Sequence, residues 1–328
     1  MPRTAFPDIS PSAWEHPADR ATLSILRQIP GFDQVLKVLS GFTSERSLRL
    51  IFLGSSLKVT PLQLPKVHAL LQEAASILDV SPVPELFISN DPRMNAMAIG
   101  MEKPFLVLHS ALLDRFSDEE LLSILAHELA HVKAGHTVYR TLLWLILNLS
   151  FELLPIDQLV RIPILLALKD WERKSELSCD RAGVLVVQDP QVYYQLMAKM
   201  VSGGQKHLDL DELIRQADEY ESSGDLLDSV YKVLSVLEDS HPLLLIRLKE
   251  TRKWILNGEY EKILTGTYRK LGDKEDPADN AKSAFTSWEE DLRNSSDPGA
   301  KLASQMVDEV KKAGEQLQNF IKDIFPKP

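Results

Sequence analysis

The chain has 328 residues, a formal net charge of −10 and 44% apolar residues. That apolar content supports a well-buried core and excludes wholesale disorder. The acidic balance offers no electrostatic footprint for nucleic acid, so that class of partner is set aside. The single cysteine, Cys179, cannot form an intrachain disulfide, which fits a reducing compartment.

The chain opens Met-Pro-Arg-Thr-Ala-Phe-Pro, with no basic region followed by an apolar stretch. No signal peptide is read, and a cytoplasmic location is expected. Residues 1–20 are rich in Pro, Asp and Ser and read as an arm. Helical spacing follows over 21–40, broken by Pro30-Gly31, and a further helix is predicted over 64–78. The period then changes. Glu85 to Ser89, Asn95 to Gly100 and Pro104 to His109 read as short strands separated by turn signals, predicting a small antiparallel sheet.

Ser117 opens a helix through a Ser-x-x-Glu capping box with Glu120, and Gly135 offers its stop. Residues 141–154 and 162–168 are apolar but short, and the first run contains Asn148 and Glu152. A spanning helix wants about 20 apolar residues. Two buried core helices are therefore the preferred reading, with peripheral membrane contact through 141–168 as the alternative. Helices are predicted over 170–187, 190–202, 210–222 and 226–238. Residues 272–300 collect Gly, Asp, Pro, Asn and Ser as a linker. In 301–325, Leu302, Met306, Val310, Ala313, Leu317, Phe320 and Ile324 form an apolar stripe suited to docking or self-association.

Residues 127–131 read His-Glu-Leu-Ala-His. Histidines at i and i+4 share a helix face one turn apart, so both imidazoles can reach one tetrahedral zinc ion. Glu128 sits one step round the helix, where a base can take a proton from water beside the metal. A third ligand is needed. The metzincin pattern would require glycine at 134 and histidine at 137, where the chain has Ala134 and Thr137. The gluzincin solution takes a glutamate from a later helix, followed four residues on by an aspartate. Glu176 and Asp180 have that spacing: Glu176 closes the site, and Asp180 accepts the outer N–H of a ligating histidine. Glu172, the rival, has Glu176 rather than an aspartate four residues on, and Glu152 lies within the apolar run. Cys179 reads as a small buried residue, with zinc ligation as its alternative. His136 is out of phase with His127 and His131 and is expected to point away from the metal as a structural residue.

His127-Glu-Leu-Ala-His131-Val-Lys-Ala-Gly-His136, with Ser175-Glu176-Leu-Ser-Cys-Asp180-Arg-Ala-Gly183, resembles the family of the HtpX heat-shock protease and the Ste-type CAAX prenyl protease, peptidase family forty-eight of the metallo class. Asn95 to Gly100, Ser117 to Glu120, and Ser240-His241-Pro242 with Arg247 match further family segments, and the resemblance covers about residues 60–250. The family's membrane members carry long hydrophobic hairpins after the metal helix, and residues 141–168 are shorter and more polar than those.

The resemblance implies a mostly α fold with a small antiparallel sheet (α+β) and a gluzincin-type peptidase domain over 46–271; outside it, composition and periodicity read as an N-terminal arm and helix over 1–45, a linker over 272–300 and a C-terminal amphipathic helix over 301–328. It implies a zinc endopeptidase acting on unfolded or misfolded polypeptides. His241 would stabilise the oxyanion or cap the zinc, Arg247 would position His241 or the substrate backbone, and Asn95 and Ala96 would begin the strand that pairs with substrate. The competing class is a chaperone-like binder that keeps the zinc fold without cutting, for which Glu128 would have no use.

Overall fold

The computed structural model describes residues 3–20, 23, 45–148, 158–205, 208–222 and 243–273. His241, the segments predicted over 226–238 and 301–325, Glu152 and nearly all of 21–40 lie outside the described residues. Helices dominate: α1 (Glu45–Ser55), α2 (Pro65–Ile77), α3 (Ser110–Arg115), α4 (Asp118–Lys133), α5 (His136–Asn148), α6 (Gln158–Val187), α7 (Pro190–Ser202), α8 (Leu210–Ser222), α9 (Leu244–Leu256) and α10 (Glu259–Leu264). A four-stranded sheet sits among them, built from β1 (Leu57–Lys58), β2 (Leu86–Ser89), β3 (Ala96–Ile99) and β4 (Phe105–His109), and the class is α+β.

The strand order is β1-β2-β4-β3. The β3–β4 and β1–β2 pairs are antiparallel, but β2 and β4 run parallel, with Leu86 opposite Leu106 and Ser89 opposite His109. The sheet is thus mixed rather than antiparallel throughout. The chain does not meander: it crosses from β2 to the far side of β4, lays down β3 at the edge, and returns through a hairpin into the centre. Side chains alternate as the two-residue period requires. Leu86, Ile88, Leu106 and Leu108 enter the main helical core, while Phe87, Phe105 and Val107 pack the opposite face with Leu48, Phe52 and Trp144. Covering on both faces explains why β4, Phe-Leu-Val-Leu-His, is an unbroken buried run.

Residues 3–20 pack into this core. Phe6, Ile9 and Trp14 are fully buried, and the arm pairs with the far end of the described chain through Ser10 N–H to Arg269 O at 3.0 Å and Leu271 N–H to Asp8 O at 2.6 Å. Helix α6 starts earlier than the sequence suggested, absorbing the apolar run before Asp170. Leu142, Leu143, Leu168 and Trp171 are buried in the protein interior. Among the described residues, no helix is long and apolar enough to cross a membrane.

Candidate metal centre and active site

Helix α4 carries the first two candidate ligands. Its start is held by a reciprocal cap: the Glu120 carboxylate accepts from the Ser117 N–H at 2.7 Å, and Ser117 Oγ accepts from the Glu120 N–H at 3.4 Å. Its end is set at Gly135, whose φ of +72° lies in the left-handed region that glycine enters at little cost. Between these points Leu121, Leu122, Leu125, Ala126 and Leu129 are buried, which anchors the helix and presents His127, Glu128 and His131 to the interior.

Helix α6 supplies the acids. Glu176 Oε2 lies 3.3 Å from His127 Nε2, Glu176 Oε1 lies 3.2 Å from His131 Nε2, and the two Nε2 atoms are 3.2 Å apart. Ligands about 2.0–2.1 Å from a tetrahedral ion stand roughly 3.3 Å from one another. The two imidazoles and the carboxylate, which turns one oxygen toward each, therefore suit a metal ion of that size, and they form one of the two buried metal-capable groups among the described residues. Glu128 is 1% exposed, and its Oε2 has no hydrogen-bond partner. A buried carboxylate oxygen without a partner is costly unless the site uses it.

Each ligand is braced from behind. Asp180 Oδ1 lies 3.1 Å from His127 Nδ1. Asp180 in turn accepts from Arg247 Nε at 2.7 Å and Nη2 at 2.6 Å, and Arg247 Nη1 stands 3.0 Å from Glu176 Oε2. Arg247 Nε and Nη2 are thereby committed to Asp180, while Nη1 pairs with Glu176 by charge alone, without a hydrogen bond. It buttresses the site from the first turn of α9 and also lines the cleft. Arg140 of α5 donates from Nη1 to Glu176 Oε1 at 2.7 Å and to His131 Nε2 at 2.5 Å. It competes with a metal for the lone pair of His131 and must release that nitrogen when an ion takes it.

These contacts set the proton affinities. Burial pushes the Asp180 carboxyl up, but Arg247 and His127 outweigh it and hold it below the usual range. Burial pulls His127 down, yet Glu176 and Asp180 reverse that and raise it to about 9. Burial and the Arg140 guanidinium hold His131 well below the ordinary imidazole value. A metal ion held by these residues would have to displace a proton more at His127 than at His131.

His136 does not belong to the ligand triangle, yet it faces the site: its Nδ1 is 3.1 Å from His131 Nδ1. The phase argument failed because α4 ends before Gly135, so His136 begins a new helix and no longer follows the period of α4. Asp19, absent from the sequence reading, lies 3.3 Å from His136 Nε2. Cys179 is buried with Sγ 3.7 Å from His136 Nδ1; His131, His136 and Cys179 form the second metal-capable group, which shares His131 with the first. Glu172 is buried and paired with Lys169 at 3.0 Å, outside both groups.

A cleft opens beside His127 and Glu128. Leu112, Ile124, Leu196, Met197 and Met200 give it an apolar wall, while Asn95 and Ala96 stand at its rim where β3 forms the sheet edge. Asn95 Oδ1 is buried without a hydrogen-bond partner.

The profile of Peptidase family M48 matches residues 61–255. The chain is similar to the plastoglobule-localized metallopeptidase 48, chloroplastic, of Arabidopsis thaliana, with 33% identity over 276 residues covering 82% of this chain and 80% of the relative. It is similar over shorter stretches to HtpX protease homologs: 37% identical over 70 residues to that of Helicobacter pylori strain J99, covering 21% of this chain and 23% of the relative. For that of Bacillus subtilis the figures are 33% over 96 residues, 26% and 32%. No solved structure matches the chain.

Proposed function

The chain belongs to peptidase family M48 and is a metallopeptidase, and from that premise we propose that it is a zinc endopeptidase acting on extended, unfolded polypeptide. His127, His131 and Glu176 would hold one zinc ion, and Glu128 would be the general base. The observation that carries this reading is the convergence of His127 Nε2, His131 Nε2 and the Glu176 carboxylate, which sets one oxygen 3.2–3.3 Å from each imidazole, beside a buried, unpartnered Glu128 oxygen.

Zinc, when bound, supplies a Lewis acid that polarises the scissile carbonyl and lowers the pKa of water to about 7. Glu128 Oε2 takes the proton of the attacking water and passes it to the leaving amine. Asp180 and Arg247 keep His127 and Glu176 in place through the cycle, and Arg140 remains on Glu176. The β3 edge pairs with an extended substrate through main-chain hydrogen bonds, with the Asn95 side chain placed to accept a substrate N–H. Strand pairing reads backbone and not sequence, which supports a preference for chains lacking their own fold. The apolar wall of Ile124, Leu196, Met197 and Met200 suits a large apolar side chain next to the cleaved bond.

The test is cleavage of a denatured, labelled casein by the full-length protein loaded with zinc, with product ends read by mass spectrometry. Zinc-dependent cleavage beside apolar residues is expected. Binding of the denatured chain without cleavage would make the protein a chaperone-like binder instead.

A further inference from the structure

We infer that Asp19, in the N-terminal arm, positions the metal ligand His131 through His136, making the arm part of the metal centre. The inference rests on the proposed role of His131. It adds a residue far outside the segment matched by the family profile, 61–255.

The argument is one of hydrogen-bond direction. His131 Nδ1 and His136 Nδ1 are 3.1 Å apart, so one must donate and the other accept. An ionised aspartate can only accept, and Asp19 Oδ2 faces His136 Nε2 at 3.3 Å. His136 therefore carries a proton on Nε2, and since Arg140 Nη1 donates to His131 Nε2, His136 Nδ1 is the acceptor of the Nδ1–Nδ1 bond. His131 must then carry its proton on Nδ1, which leaves the lone pair on Nε2, the atom 3.2 Å from both Glu176 and His127. The Cys179 thiol agrees with this direction: burial keeps it protonated, so 3.7 Å from His136 Nδ1 it is a donor facing an acceptor.

Asp19 is itself fixed. Trp171 Nε1 donates to Oδ1 at 2.9 Å, and Ser178 Oγ donates to Oδ2 at 2.6 Å. Ser178 Oγ also accepts from the His16 N–H at 2.9 Å, so the arm is held twice on α6 between Glu176 and Asp180. The Trp171 ring stands edge-on to His136, with centroids 5.5 Å apart. His127 has a carboxylate directly behind it in Asp180, and His131 receives the same service one imidazole further away. Such outer partners fix the tautomer of a metal-ligating histidine, and losing one costs about 10–100-fold in metal affinity.

Asp19→Asn is the decisive variant. Trp171 N–H still requires an oxygen opposite it, so the new amide places its NH2 on the His136 side. That donor meets His136 Nε2 and reverses the chain, moving the proton of His131 onto the atom that should bind metal. The experiment uses the full-length chain. Zinc affinity is measured by competition with a chromophoric chelator, the cobalt-loaded visible spectrum is recorded, and long-range proton–nitrogen NMR reads the ring tautomers of zinc-loaded wild type. The expected results are an Asp19→Asn variant that binds zinc about 10–100-fold more weakly with an altered cobalt spectrum, and a wild-type His136 protonated at Nε2. An Asp19→Asn protein that is folded with unchanged zinc affinity and cobalt spectrum would overturn the inference. So would a wild-type His136 protonated at Nδ1, a readout that needs no variant to fold. Wild type that binds no zinc at all would instead sink the proposed ligand set.

Discussion

Gly183 of α6 lies directly against Ser123 of α4: a Cβ built at Gly183 would stand 3.0 Å from Ser123 Oγ and 3.1 Å from the Ser123 carbonyl oxygen. Glycine is required here for proximity, since the two helices carrying the metal-site residues pack nearly backbone to backbone. His127 is one turn beyond Ser123, and Glu176 is two turns before Gly183. A methyl group at 183 therefore pushes apart the elements that bring the ligands together. Gly183→Ala should lower stability by about 1–3 kcal/mol and weaken zinc binding as well. Thermal unfolding of metal-free and zinc-loaded protein checks both, and a variant as stable and as tight as wild type would show that the helices can shift freely.

Glu128→Gln keeps the shape of the side chain and removes its basicity. Zinc binding should be preserved, while cleavage of denatured casein should fall by about 100-fold or more. Undiminished turnover would give the proton transfer to another group.

Glu176 and Glu172 lie one helical turn apart on α6, and both are buried. Glu176→Ala should abolish tight zinc binding because it removes one corner of the ligand triangle. Glu172→Ala strips Lys169 of its partner at 3.0 Å, so it should cost stability but leave the zinc affinity near wild type. Metal titration of the two variants side by side separates these outcomes, and the reverse pattern would move the third ligand to Glu172.

Glu85 ties α1 to the sheet. Its carboxylate receives Arg49, with one contact at 2.7 Å, and Lys58 at 2.5 Å. Arg49 foremost, helped by Lys58, pulls its pKa down to about 2. A depressed carboxylate contributes stability above its unfolded value, and that contribution is lost as pH falls through the folded value. The group is about a third exposed, so solvent screening reduces its worth to about 1 kcal/mol. Glu85→Gln should be less stable than wild type at pH 7, with the gap closing below pH ~4.5 and in about 1 M salt. Denaturant midpoints across pH and salt measure this. A gap independent of both would assign the effect to packing.

The sequence alone carried what depends on local backbone geometry. Histidines four apart on a helix share a face wherever that helix sits, so His127 and His131 could be paired from spacing, and Glu176 with Asp180 likewise. The Ser117–Glu120 cap, the glycine stop at 135 and the β3–β4 hairpin were legible for the same reason: each is a contact between near neighbours in the chain. What joins distant segments was decided by tertiary packing. The crossover that sets β3 at the sheet edge leaves no periodic trace in three strands of four or five residues. The turn of Arg247 onto Asp180 depends on where α9 docks. His136 was misjudged because helical phase has no meaning once Gly135 ends the helix. Asp19 could not be found at all, because an aspartate in an irregular arm has no period to mark it. Its position behind the metal site arises only when Phe6, Ile9 and Trp14 bury themselves in the core and carry the arm with them.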